Sequence, residues 1–137
     1  MPTATPDDSA QTEEAWYSYA IVRVVPEVAR GEFINVGVIL YVRTMQFLEA
    51  RIHLDEERLR SLAPRLEAFE LREHLHTYSA IARGDPDAGP IASFNQSERF
   101  HWLTSPRSTM IQTSPVHVGC CADPEAVLDD LMDRLVL

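Results

Sequence analysis

The stretch Glu32-Phe33-Ile34-Asn35-Val36-Gly37-Val38-Ile39-Leu40-Tyr41-Val42-Arg43 decides the fold. Apart from Asn35 and Gly37, its interior is β-branched, aliphatic or aromatic, the composition of a strand. Alternation places Ile34, Val36, Val38, Leu40 and Val42 on one face and Phe33, Asn35, Gly37, Ile39 and Tyr41 on the other. The run is far too short to cross a bilayer.

Strands are also expected on either side of it. Trp16 to Val25 is rich in aromatic and β-branched residues and stops at Pro26. Met45 to Leu54 alternates Leu48, Ala50, Ile52 and Leu54 with Glu49, Arg51 and His53. Three consecutive strands with short connections imply an antiparallel meander. The even-numbered residues Val22, Val24, Ile34, Val36, Val38, Leu40, Leu48 and Ile52 are expected on a single buried face.

Beyond Leu54 the period becomes helical. Asp55 is an N-cap followed by Glu56 and Glu57, acids that the helix dipole favours. Pro64 ends this helix or begins the next, and Arg65 to Arg83 carries an apolar stripe closed by Gly84. Ser93 to Arg107 has no clear period and reads as mixed helix and loop. Ser108 to Val118 is extended and interrupted by Pro115, as at an edge. Asp123-Pro124-Glu125 starts a last amphipathic helix. The order β-β-β-α-α-β-α predicts an α+β two-layer sandwich, a mainly antiparallel sheet with helices on one face. Residues 1–14 hold four acids and little that is large and apolar, which predicts a flexible acidic tail before a single domain over 15–137.

The chain has 137 residues, 21 acids and 12 bases, a formal charge of -9. So acidic a chain is not expected to bind nucleic acid or an anionic membrane by bulk electrostatics. Every base is arginine, which excludes lysine Schiff-base chemistry and a P-loop. No secretory signal pattern is present, so a cytoplasmic location is expected. The adjacent Cys120 and Cys121 cannot staple distant segments and read as two reduced thiols. His74 and His76 diverge on a helix, and neither HExxH nor paired CxxC occurs, so no metal and no cofactor is expected. Ser108, His117 and Asp123 name a triad without a G-x-S-x-G elbow, and ordinary loop and strand roles suit them better.

Two stretches stand out. In the first, Asn35 and Gly37 interrupt a strand on its second face. Gly37 implies either a bulge or tight packing spot, or room for a ligand. In the second, Arg99-Phe100-His101-Trp102-Leu103-Thr104-Ser105-Pro106-Arg107-Ser108-Thr109, two guanidinium groups could hold a phosphate or carboxylate. They could equally form internal ion pairs with Glu32 or Glu49. In the ligand reading Glu32, Asn35, Gly37, Arg99, Trp102, Arg107, Ser108 and His117 build the site. Asn35 orients the ligand, and Glu32 is the general base with His117 as substitute.

Together with Tyr17-Ser18-Tyr19-Ala20, Pro26 and His117-Val118-Gly119, these stretches resemble the bacterial domain of unknown function 3037 family over about Trp16 to Leu137. The E-x-x-N-V-G and R-F-x-W-L-x-x-P-R-S-T patterns carry the resemblance. It implies no known reaction and no catalytic role for the cysteines. Members are often encoded near a HipA-like kinase, which implies a partner or regulator role. The leading expectation is a non-enzymatic accessory or protein-binding module. The alternative is an enzyme or sensor holding a small anion through Arg99 and Arg107.

Overall fold

The structure, a computed structural model, describes residues 14–107 and 109–137. Of the expected acidic tail only Glu14 is among them, and the candidate Ser108 lies outside them too.

Strand β1 (Ala15–Val24) is the axis of the sheet. Along one side it pairs antiparallel with β2 (Ile34–Val42), which pairs in turn with β3 (Phe47–Ile52). On its other side two short strands lie end to end: β4 (Ile111–Thr113) against Val22 to Val24, and β5 (His117–Cys121) against Ala15 to Tyr19. Pro115 lies between them and has no N–H for the ladder. The buried Ser114 bridges the break, its N–H donating to the Ile21 carbonyl and its Oγ accepting from the Ile21 N–H, each at 2.8 Å.

Among the described residues four α-helices complete the fold: α1 (Glu56–Leu62), α2 (Ala68–Arg83), α3 (Gln96–Leu103) and α4 (Pro124–Leu135). Their starts follow local chemistry. The Asp55 carboxylate accepts from the Glu57 and Arg58 N–H groups, and Asp123 accepts from Glu125 and Ala126 ahead of Pro124. Helix α3 begins with a reciprocal capping box between Asn95 and Glu98. Gly84 ends α2 at φ +75°, where a side chain would be strained.

The expected α+β class and antiparallel sheet are present, but the sheet is covered on both faces instead of one. A β-bulge divides the residues of β2 between the two faces. Val22 faces Gly37 while Arg23 faces Asn35, so Val36 is an extra residue in β2. Past the bulge the alternation reverses. Ile39 and Tyr41 join Val22, Val24, Leu48 and Ala50, under Leu59 of α1, Leu71, Leu75 and Ile81 of α2, and Phe100 and Leu103 of α3. Val38, Leu40 and Val42 face the other way, against Leu128, Leu131 and Met132 of α4. The residues expected on one buried face therefore divide between two. A strand buried on both sides is apolar at nearly every position, and its alternation cannot report such a slip.

Candidate functional site

The polar residues singled out in the sequence turn toward helix ends. The last four carbonyls of an α-helix have no partner within it and carry the negative end of its dipole. Asn35, at the bulge, donates from Nδ2 to the carbonyl of Leu135, the last residue of α4, at 3.0 Å. Arg58 adds a second donor there, from Nη1 to the Val136 carbonyl at 3.0 Å.

Arg99 projects from α3 and is 9% exposed. Its Nη2 donates to the carbonyl of Ala82 in the last turn of α2 at 3.2 Å, and its Nη1 to the Phe94 carbonyl at 2.6 Å. The guanidinium lies across the end of α2, where a Cβ on Gly84 would stand 3.5 Å from it. The expected ion pairs with Glu32 or Glu49 are not formed. Glu32 pairs with Arg30 at 3.0 Å, and Glu49 pairs with Arg51 at 3.3 Å. Arg99 is thus a buried cation neutralised by carbonyl dipoles rather than by an acid.

Arg107 does the same for α3. Its Nη2 donates to the Trp102 carbonyl at 2.6 Å and its Nη1 to the Leu103 carbonyl at 3.3 Å. The guanidinium stacks 4.5 Å above the Trp102 ring, and Nη1 also donates to the Tyr78 hydroxyl at 3.3 Å. Burial pushes the Tyr78 phenol above its ordinary pKa, with Arg107 pulling the other way. Tyr78, Trp102 and Arg107 wall a groove of about 440 Å³ between α2 and β4, with Leu71, His74 and Ile111.

The remaining candidates are dispersed. Gly37 serves packing: a Cβ there would lie 2.6 Å from both the Arg51 carbonyl oxygen and Ile52 Cδ1. Glu32 is exposed on the rim of another groove, formed by the loop before β2 and residues Ser61 to Leu66. His117 is exposed on β5, its ring 5.2 Å from that of Tyr19. Register puts Asn35 and His117 on the α4 face of the sheet, whereas Trp102 and Arg107 belong to the α2–α3 side. Arg99, Arg107 and Asn35 therefore share no pocket. Among the described residues no three His, Cys, Asp or Glu side chains group as metal ligands would, and no helix is long and apolar enough to cross a membrane.

One surface was not visible in the sequence as a candidate. Phe100 reaches Tyr41, which pairs with Ser18, and the helical cover ends there. Beyond it Trp16 and Val118 lie on the same sheet face, on β1 and the outermost strand β5, and are 71% and 68% exposed. Exposed Cys120 lies on that face directly across from Trp16 and next along β5 from Val118, while Cys121 points to α4, its thiol pKa raised by burial. Trp16 begins a strand and invites a core reading; only strand order reveals that none of the described helices covers it.

No curated protein and no solved structure matches the chain. The family model described as "Protein of unknown function (DUF3037)" matches residues 19–136, and so includes every element except the first residues of β1. The bulge, the Arg99 and Arg107 caps and Gly37 all lie inside the matched region, and the chain belongs to the DUF3037 family.

Proposed function

We propose that this chain is a non-enzymatic accessory module that recognises a protein partner through the open end of the sheet at β1 and β5. The exposed Trp16–Val118 pair is the observation that carries this reading. Two large apolar side chains on one face, beside a strand edge that is unpaired among the described residues, are a recurrent feature of protein interfaces. The polar residues that could have served chemistry support it indirectly, since Asn35, Arg99 and Arg107 are engaged by helix carbonyls. A HipA-like kinase, suggested by the genomic association of the family, is the first partner to test.

Co-expressed with such a neighbouring kinase, the chain is expected to co-purify as a stable complex. Trp16→Ala should weaken that complex by about 30-fold, equivalent to roughly 2 kcal/mol for a central tryptophan. The side chain is mostly solvent-exposed, so the melting temperature should not move. Trp16→Ala binding as tightly as the parent would place the contact elsewhere.

A second reading rests on the groove beside Arg107. A small carboxylate or phosphate could meet this guanidinium above Trp102, with Tyr78 protonated alongside. Arg99 would play no direct part, because it is buried across the end of α2 and does not line this groove. Failure of a well-folded chain to bind any neighbour-encoded protein would favour this alternative.

A further inference from the structure

We infer that the groove between α2 and β4 binds a small molecule that carries one carboxylate on an apolar body the size of an aryl ring. The inference rests on the second reading above, in which Arg107 meets an anion, and it names the class of that anion. It is independent of the Trp16 surface.

Arg107 differs from the other arginines around α2. Arg99 is buried, and Arg72 and Arg83 are paired with acids. Arg107 is half-buried and lines the groove, and its partners are carbonyls and a hydroxyl, which leave its charge without a counter-ion. A guanidinium has five N–H groups. The two on Nη1 are shared among the Tyr78 hydroxyl and the Leu103 and Ser105 carbonyls, each at 3.3 Å. Nη2 gives one hydrogen to the Trp102 carbonyl. Its second hydrogen and the Nε hydrogen have no acceptor among the described residues. They are donors on neighbouring nitrogens, suited to the two oxygens of a carboxylate. Tyr78 adds a third donor. Its hydroxyl accepts from Nη1, its own hydrogen has no acceptor among the described residues, and burial keeps the phenol protonated.

The rest of the groove sets the body of the ligand. Its volume of about 440 Å³ is far more than a carboxylate or a phosphate fills. Buried Leu71, Tyr78 and Ile111 form the floor, with exposed Met110 and the half-buried Trp102 beside them. A bare inorganic anion would leave this apolar surface wet, whereas an apolar body covers it. The Tyr78 and Trp102 rings, tilted with centroids 6.5 Å apart, offer an aryl group both faces and edges. Charge is distributed unequally along the groove. Arg107 stands at the Tyr78 end, while Glu67 and Glu70 stand at the other; Glu70 precedes Tyr78 by eight residues, about 12 Å along α2. A second negative charge carried along the groove would approach these acids, which favours a monocarboxylate over a dicarboxylate or a phosphate ester.

The test is isothermal titration calorimetry of the full chain with 4-phenylbutyrate as probe. The chain has two tryptophans, so Trp16→Phe leaves Trp102 as the sole indole, and its fluorescence locates the binding. Saturable binding with a matching change in Trp102 emission is expected. The amine 4-phenylbutylamine, the same body with opposite charge, should bind at least tenfold more weakly. Met110→Glu places a carboxylate in the wall at an exposed position and leaves the Met110 carbonyl bonded to the Val25 N–H. It should weaken 4-phenylbutyrate at least tenfold with unchanged melting. Tyr78→Phe, which removes one donor, should weaken it about fivefold. Absence of saturable binding, equal affinity for acid and amine, undiminished binding to Met110→Glu, or binding that leaves Trp102 emission unchanged would overturn the inference. Inorganic phosphate separates it from the reading beneath it. Phosphate that binds and alters Trp102 emission where 4-phenylbutyrate does not would overturn the ligand class and leave an anion at Arg107; binding of neither would overturn both.

Discussion

Arg99→Met is expected to lower the unfolding free energy by about 2–4 kcal/mol. Hydrogen bonds from a charged donor contribute about 1.5–3 kcal/mol each, and this side chain makes two, to Ala82 and Phe94. Both carbonyls would lose a donor, the one on Ala82 in a buried position and the one on Phe94 in a partly buried one. Part of that loss is recovered, because methionine removes a buried cation that no carboxylate offsets. The balance remains a large fraction of the roughly 5–15 kcal/mol that stabilises a small domain. In a thermal melt it should appear as a drop on the order of 10 °C. Arg99→Lys should recover little, since one ammonium cannot span two carbonyls as the planar fork does. A methionine variant within about 0.5 kcal/mol of the parent would mean that Arg99 does not hold the end of α2.

Gly37→Ala should also be costly, by about 3 kcal/mol, although alanine is ordinarily no worse than glycine in a strand. The added methyl would sit 2.6 Å from the Arg51 carbonyl oxygen and from Ile52 Cδ1. Ile52 can move; the backbone of β3 moves only if the ladder opens. Overpacking of this kind typically costs about 1–3 kcal/mol, and the backbone clash puts Gly37 at the upper end. Ile52→Ala in the same chain should relieve the side-chain clash alone and restore less than half the loss in urea denaturation. A stable Gly37→Ala protein with unchanged β2–β3 pairing would show that the glycine is not required for close approach.

Much of the fold was written locally. Asp55, Gly84 and Asp123-Pro124 mark helix boundaries because capping involves residues within a few positions of each other. Helix α3 was less legible: buried Arg99 interrupts its apolar stripe, although Asn95 followed three residues later by Glu98 is a readable start. The bulge at Val36 was marked only by Gly37 beside it, which read equally as a packing spot or as room for a ligand; alternation in a strand apolar on both faces did not show the slip, and the second helical layer was missed. The candidate site was legible only as a set of unusual residues. Asn35 meets a carbonyl 100 residues away and Arg99 one 17 residues away, partners that chain spacing does not indicate. Arg107 reaches back only five residues to Trp102 O, but its role follows only once α3 is known to end there.

The assignment of these polar residues to helix ends is tested most directly by native-state amide hydrogen exchange on Asn35→Ala, Arg99→Met and Arg107→Met. Each variant should raise exchange most in the last turn of its own helix: Met132 to Leu135 in α4 for Asn35, Ala80 to Arg83 in α2 for Arg99, and Phe100 to Leu103 in α3 for Arg107. Last turns that exchange as in the parent, or an equal rise in all three helices whichever residue is replaced, would contradict it.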